Sequence, residues 1–316
     1  MTSMDDHQHI DEVNSQQPYS LRSGFCALIG RPNAGKSTLI NALMRRKVAI
    51  TSDTPQTTRH RFRAVLDGDG FQLVLVDTPG LHKPIDALGE ELNRSALKAL
   101  ESVDVVAFLV DASKPFGSGD QWVAQLLKHS PAPVILVISK SDLADEAAIN
   151  RQIDHTRRVL ECDEVVVLSA LEARNLDAFT EAACGYLPPG PRWFPEGTGT
   201  DQPIEVIIAE FIREKILTST FDEVPHAVGV MVEEMEYDAR RNFYRIYAII
   251  YVERESQKGI IVGKGGLMIK HIGTQARLDL KRFMAADIHL DLRVKVRKGW
   301  RKDANQIRRF GYGEGA

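Results

Sequence analysis

The 316-residue chain has only three cysteines, Cys26, Cys162 and Cys184, odd in number and far apart. They offer no disulfide framework and no metal-ligand spacing, which points to a reducing compartment. Long apolar runs are missing too: stretches such as "VVAFLV" fall far short of the roughly 20 residues that span a bilayer. The opening "MTSMDDHQHIDEVNSQQ" is acidic and polar, without aromatics or periodicity. Residues 1–20 are therefore expected to form a disordered tail rather than a secretory leader, with His7 and His9 as solvated side chains. Excess charge is absent as well, since 40 Lys and Arg stand against 43 Asp and Glu, for a formal net charge of −3. That average argues for no class of partner, because it can hide a polarised distribution. What remains, 43% hydrophobic and 26% charged residues, is ordinary for a globular protein, and the length suits two domains better than one.

From 21 to 187 short apolar runs alternate with amphipathic segments. The runs "FCALIG", "FRAVLD", "FQLVLVD", "VDVVAFLVD", "VILVIS" and "VVVLSA" are nearly continuous, as strands buried on both faces should be. "LDGDGFQ" signals a hairpin, so one strand is expected to run antiparallel. Segments 36–45, 88–101, 119–129, 145–159 and 175–186 read as helices. The pattern is that of a doubly wound α/β domain with a mostly parallel six-stranded sheet. Residues 188–203 hold five prolines and three glycines and break the alternation, so they read as a linker. A second domain, 204–316, follows in the order α-β-β-α-α-β, ending in a basic tail. Its first helix carries a stripe of Ile204, Ile207, Ile208, Phe211, Ile212 and Leu217. Between Arg254 and Arg309, 15 Lys and Arg face 5 Asp and Glu, so the near-neutral chain has a basic end.

"GRPNAGKS" fits the pattern G-x-x-x-x-G-K-[ST] and sits between a predicted strand and a predicted helix, the context that gives it meaning. Along Gly30, Arg31, Pro32, Asn33, Ala34, Gly35, Lys36, Ser37 and Thr38, backbone N–H groups and a helix start can cradle phosphates. Lys36 can bridge the β- and γ-phosphates and Ser37 can ligate Mg²⁺. "VLVDTPG" places Asp77, Thr78, Pro79 and Gly80 at a strand's carboxyl end, with Asp77 for the Mg²⁺ shell and the Gly80 N–H for the γ-phosphate. In "VISKSD", Asp142 can accept from the N1–H and 2-amino group of guanine, a pair that adenine does not offer. Ser169, Ala170 and Leu171 can bring a backbone N–H to the guanine O6. The order of these motifs, all at strand carboxyl ends, points to GTP and GDP as ligands.

The set "GRPNAGKS", "PQTTRH", "DTPG", "SKSD" and "SAL" resembles the Era-like family of translation-factor-related GTPases, over about residues 22–312. The resemblance implies a slow GTPase whose catalytic set is Lys36, Thr58, Gly80 and Asn33. Thr58, rather than Thr57, would be the switch threonine that joins Ser37 and Asp77 on Mg²⁺ when the γ-phosphate is present. Asn33 would help hold a catalytic K⁺. Leu81 stands where many GTPases have a water-positioning glutamine, and an apolar side chain cannot orient water. Ser139 stands where the family usually has asparagine. Its single hydroxyl is expected to tie the base loop to the phosphate loop less well, so that Ser139→Asn should raise GTP affinity.

"GIIVGKGG" at 259–266 has no Walker pattern and no base-selecting motif after it, so a second nucleotide site is not expected. It is similar to the G-x-x-G loop between two helices of a KH domain, which clamps about four single-stranded nucleotides. Gly263, Gly265 and Gly266 would let a nucleic-acid backbone approach, and Lys264, Lys270 and Arg277 would supply charge. Ile261, Val262 and Ile269 would form an apolar floor for bases. Trp300 is expected to pack rather than to stack a base. The expected fold class is thus α/β, a P-loop GTPase domain followed by a smaller α+β type II KH domain. The resemblance further implies a cytoplasmic, monomeric protein that binds the 3′ end of 16S-type rRNA and assists small-subunit maturation. Two other classes stay open on sequence: an RNA-binding module in which GTP is structural, and a GTPase in peripheral contact with the inner face of the membrane.

Overall fold

The structure is a computed structural model that describes residues 21–52, 54, 57–84 and 86–312. The tail at 1–20, and Pro55 and Gln56 of the "PQTTRH" motif, lie outside the described residues.

In chain order the first domain comprises β1 (Arg22–Gly30), α1 (Lys36–Leu43), β2 (Phe62–Gly68), β3 (Phe71–Asp77), α2 (Ala87–Ala99), β4 (Val105–Asp111), α3 (Ser118–Leu127), β5 (Val134–Ser139), α4 (Glu146–Val159), β6 (Glu164–Val167) and α5 (Leu176–Gly185). The sheet runs β2-β3-β1-β4-β5-β6, with β2 antiparallel to β3 and every other pair parallel. Alternation along β1 feeds two cores. Cys26 and Leu28 pack with Leu39 and Phe179 on the face covered by α1 and α5. Ala27 and Ile29 pack with Ala96, Val123 and Leu160 on the opposite face. Burying one such aliphatic or aromatic side chain contributes about 2 kcal/mol, and this frame fixes the loops at the strands' carboxyl ends.

The second domain continues with α6 (Ile204–Ser219), α7 (Val224–Ala227), β7 (Gly229–Asp238), β8 (Phe243–Val252), α8 (Glu255–Val262), α9 (Leu267–Met284), β9 (Asp287–Val296) and α10 (Ala304–Arg309). Its sheet is β7-β8-β9, antiparallel then parallel. The α-β-β-α-α-β series is present, with the short α7 and α10 added to it.

Two segments differ from the sequence reading in how they are held. The proline-rich stretch is pinned along the β2–β3 hairpin. Gln72 accepts from the Trp193 and Phe194 N–H groups and donates to the Phe194 carbonyl, and the Val65 N–H donates to Gly199 O. The closing "WRKDANQIRRFGY" is not a basic tail. Trp300, Ile307, Phe310 and Tyr312 are buried against Leu88 and Leu92 of α2 and against Ile249 and Tyr251 of β8. Charge counting missed three of these side chains, Ile307, Phe310 and Tyr312, which interleave with the arginines. Trp300 packs as expected, donating its indole N–H to Ala227 O at 3.0 Å.

Candidate functional site

A cavity of about 490 Å³ opens at the carboxyl edge of the six-stranded sheet, large enough for a nucleotide. Pro32, Asn33, Gly35, Lys36, Ser37 and Thr38 line one side of it, and Ser139, Lys140, Asp142, Ala170 and Leu171 the other. Each group lies where a strand ends. Gly30 closes β1, Asp77 closes β3 and Ser139 closes β5. Gly80 lines the cavity where the chain crosses the phosphate loop. A Cβ there would lie 2.6 Å from the Pro32 backbone, so only glycine lets the two loops touch. The side chains of Arg31 and Thr78 face elsewhere: Arg31 pairs with Asp120 at 2.6 Å, and Thr78 donates to Leu28 O at 2.7 Å. They shape the loops and offer only backbone to a ligand.

Ser37, Thr58 and Asp77 converge. Ser37 Oγ is 2.9 Å from Thr58 Oγ1 and donates to Asp77 Oδ2 at 3.0 Å, while Thr58 Oγ1 lies 3.4 Å from the same carboxylate oxygen. Thr57 turns its hydroxyl to Thr54 O at 2.6 Å. Burial pushes the Asp77 carboxyl up to about 6, against the pull of Lys36 and of the Ser37 hydrogen bond. Its other oxygen, Oδ1, is buried with no hydrogen-bond partner among the described residues. Two hydroxyls and a carboxylate with one orphaned oxygen are a donor set that fits a hard, oxygen-seeking cation such as Mg²⁺. Among the described residues no group of three His, Cys, Asp or Glu is placed to hold a metal ion. Lys36, its pKa lowered by burial to about 8, donates to Gly30 O at 3.3 Å and Arg31 O at 3.1 Å. Phosphate oxygens would outbid these carbonyls for an ammonium.

At the base end, Ser139 Oγ lies 2.7 Å from Ala34 O and 3.1 Å from Val110 O. The shorter side chain therefore keeps the tie to the phosphate loop, which the sequence reading had expected to be weakened. Lys140, with φ of 56°, pairs with Asp111 at 2.7 Å. Burial would raise Asp111, but hydrogen bonds from Lys140 and Ser113 outweigh it and hold that carboxyl below its ordinary value. Ser169 Oγ accepts from the Glu172 N–H at 3.2 Å and so shapes the loop that presents Ala170 and Leu171. Leu81 is wholly buried and donates its N–H to Gly30 O at 3.1 Å, out of reach of any attacking water.

Sequence reasoning missed part of the wall. Ile50, Thr51, Ser52 and Thr57 line the cavity from the switch segment, Leu143 and Leu168 from the base end, and Thr218 from α6 of the second domain. Thr57 belongs to the "PQTTRH" motif and Leu168 directly precedes "SAL", while no motif marks the others.

The second glycine loop joins α8 to α9 through a 3-10 turn, Lys264–Gly266. Gly263 has φ +71° and a Cβ would meet Met268 at 2.7 Å, whereas Gly265 and Gly266 have nothing within 4 Å of such a Cβ. Lys264, Lys270 and Arg277 are exposed, with no carboxylate in ion-pair range among the described residues, whereas Lys281 is paired with Asp287. One expectation is corrected: Ile261 is 0% exposed and belongs to the domain core, so it supports the loop from beneath and cannot touch a base. Val262 and Ile269 are half-buried, and the open apolar surface is Ile260, 47% exposed, and Leu267, 69% exposed.

Comparison with known proteins agrees with both halves. A family model of 50S ribosome-binding GTPases matches residues 25–140 and a KH domain model matches residues 223–301. GTPase Era of Staphylococcus haemolyticus (strain JCSC1435) is 42% identical over 293 residues, which cover 92% of this chain and 97% of the relative. The crystal structure of a point variant of Aquifex aeolicus Era with GDP and AlF4⁻ superposes with a TM-score of 0.89 at 36% identity, covering 93% of this chain and 100% of that one. Era in complex with MgGDPNP and nucleotides 1506–1542 of 16S ribosomal RNA matches at the same TM-score of 0.89 and 36% identity, over 93% and 99% of the two chains. With both domains matched in order over nearly its whole length, the chain belongs to the Era family of GTPases.

Proposed function

We propose that this GTPase is a switch that binds single-stranded RNA at the 3′ end of small-subunit rRNA and assists maturation of that subunit. The observation that carries it is the joint state of the two glycine loops. Thr58 sits with Ser37 and Asp77 at the nucleotide, while the Gly263–Gly266 loop and its unpaired cations stand open to solvent. The relative solved with MgGDPNP and a 16S fragment supports the same pairing of ligands.

In this reading the phosphate-loop N–H groups and Lys36 bind the β- and γ-phosphates, and the Gly80 N–H meets the γ-phosphate. Mg²⁺, when bound, neutralises phosphate charge as it develops. Ser37, Thr58 and Asp77 would hold it. Asp142 selects guanine. With Leu81 buried, no side chain next to Gly80 orients the attacking water, so turnover is slow and charge stabilisation carries what catalysis there is. Asn33, which lines the cavity, is the candidate to hold K⁺ there. Single-turnover hydrolysis in K⁺ and in Na⁺ tests that role: equal rates remove K⁺ from the account.

The protein acts as a cytoplasmic monomer in this account. Among the described residues no helix is long and apolar enough to cross a membrane, and liposome sedimentation at rising salt tests peripheral contact. The function as a whole is tested by crosslinking to cellular RNA with a GTP analogue or GDP. Recovery of the 3′ end of small-subunit rRNA is expected, and recovery of no ribosomal RNA would sink the proposal.

A further inference from the structure

Thr58 is flanked by two residues that are both tied to the second domain. On one side, the Thr57 carbonyl accepts a hydrogen bond from Arg213 of α6. Arg213 is wholly buried and is itself fixed by Glu210, with Nε–Oε1 at 2.8 Å and Nη2–Oε2 at 2.6 Å. On the other side, buried Arg59 reaches into the second domain. It donates to Val228 O at 2.5 Å and to His226 O at 3.0 Å, with its guanidinium 5.5 Å from the Tyr312 ring centre. Glu210, Arg213, Glu214 and Thr218 are spaced i, i+3, i+4 and i+8, so they form one stripe along α6. The stripe meets the switch segment along its length. Glu214 accepts from the Thr51 N–H at 3.1 Å and pairs with Lys47, and Thr218 lines the nucleotide cavity.

We propose that the second domain holds the switch threonine in its metal-ligating position, with Arg213 of α6 and Arg59, anchored at the end of α7, as positioning residues. The physical reason is the stiffness of the task. Mg²⁺ demands near-octahedral geometry at about 2.0–2.1 Å, so a small shift of Thr58 Oγ1 costs the contact. A backbone fixed at the residue before and the residue after removes that freedom. Two buried arginines also make the grip nearly all-or-none. A partial shift would break the bonds from Arg213 to Thr57 O and from Arg59 to Val228 O and His226 O while both guanidinium groups stayed buried, which costs more than the shift gains. The second domain is thereby part of the nucleotide switch, not merely its output. The proposal rests on the reading of Thr58 as a Mg²⁺ ligand in the γ-phosphate state, and the test separates the two.

The variants are full-length Arg213→Gln/Glu210→Gln, which removes both members of the buried α6 pair together, Arg59→Met, which leaves the Arg213–Glu210 pair intact, and Thr58→Ala. Each is titrated with fluorescent GDP and with fluorescent GDPNP in Mg²⁺. Losing a positioned contact made only in the γ-phosphate state should weaken GDPNP about tenfold and leave GDP within about twofold. Thr58→Ala should show the same split, and adding it to Arg213→Gln/Glu210→Gln should weaken GDPNP no further. A split in Thr58→Ala that the arginine variants do not share, or losses that multiply, overturns the proposal alone. An equal loss of GDP and GDPNP in both arginine variants reduces them to fold-keeping and overturns it as well. No split in Thr58→Ala removes the ligand reading and the proposal with it.

Discussion

Ser139 shows how far one atom can go. Its hydroxyl reaches the Ala34 carbonyl of the phosphate loop at 2.7 Å, so Ser139→Ala removes a donor from a buried acceptor. A lost bond of that kind is worth about 1 kcal/mol, so GDP and GTP affinities should both fall about fivefold, read by nucleotide titration. Since the tie already exists, Ser139→Asn is expected to add only one further contact, and a GTP affinity left unchanged or lowered would contradict even that. At Asp142 the prediction is one of specificity. Asn in its place presents an N–H₂ group to the guanine N–H donors, so GTP binding should weaken at least tenfold, because a site built for a hydrogen bond rejects a mismatched partner strongly. Xanthosine triphosphate, with a carbonyl where guanine has its 2-amino group, should regain affinity. Unchanged GTP binding in Asp142→Asn would remove this residue from base selection.

At the scale of elements, the two glycine loops differ in what they tolerate. Gly263 lacks room for a Cβ and also has a left-handed φ, whereas Gly265 has the φ without the crowding. Gly263→Ala should therefore lower the thermal stability of the second domain more than Gly265→Ala, which carries only the roughly 1–2 kcal/mol of left-handed strain. Lys264→Ala should leave stability alone, weaken RNA binding and reduce the slope of log affinity against log salt by about 1. The strands of the sheet were legible in the sequence because burial on both faces makes them read as apolar runs. The nucleotide loops were legible because their chemistry is local, held within a few consecutive residues. Ile261 was not, because an eight-residue helix such as α8 is too short for periodicity to tell its inner side from Ile260 on its outer side. The apolar stripe of α6 could be read. The role of Arg213 could not, since its partner Thr57 lies 156 residues away. In the closing segment, Ile307, Phe310 and Tyr312 were overlooked because the arginines around them dominate any count of charge.

Over the whole molecule, the two domains meet through buried charge as well as apolar contact. Burial would raise the Glu210 carboxyl, but the neighbouring Arg213 charge and its hydrogen bonds outweigh that and lower it. Burial likewise opposes, and hydrogen bonds from Lys215 and Lys47 reverse, the shift of Asp279, which is also lowered. Both folded values lie below the unfolded ones. Their stabilisation is therefore fully present above the ordinary carboxylate range and is lost as pH falls through the depressed folded values. Thermal unfolding temperature should fall on acidification below about pH 4.5, and less steeply in Glu210→Gln/Asp279→Asn; equal slopes would contradict this. In the proposed account the same seam joins nucleotide to RNA, because Arg213 and the carbonyls that hold Arg59 belong to the domain that carries the Gly263–Gly266 loop. That loop is open while Thr58 stands beside Ser37 and Asp77, and this GTP-like arrangement is the one proposed to receive RNA. The most direct measurement is the affinity of the full-length protein for a single-stranded oligonucleotide of the small-subunit rRNA 3′ end, with Mg²⁺ and either GDPNP or GDP. The account predicts tighter binding with GDPNP, by about tenfold for a coupling free energy near 1.4 kcal/mol, and loss of that difference in Arg213→Gln/Glu210→Gln. Equal affinity in the two nucleotide states would contradict it.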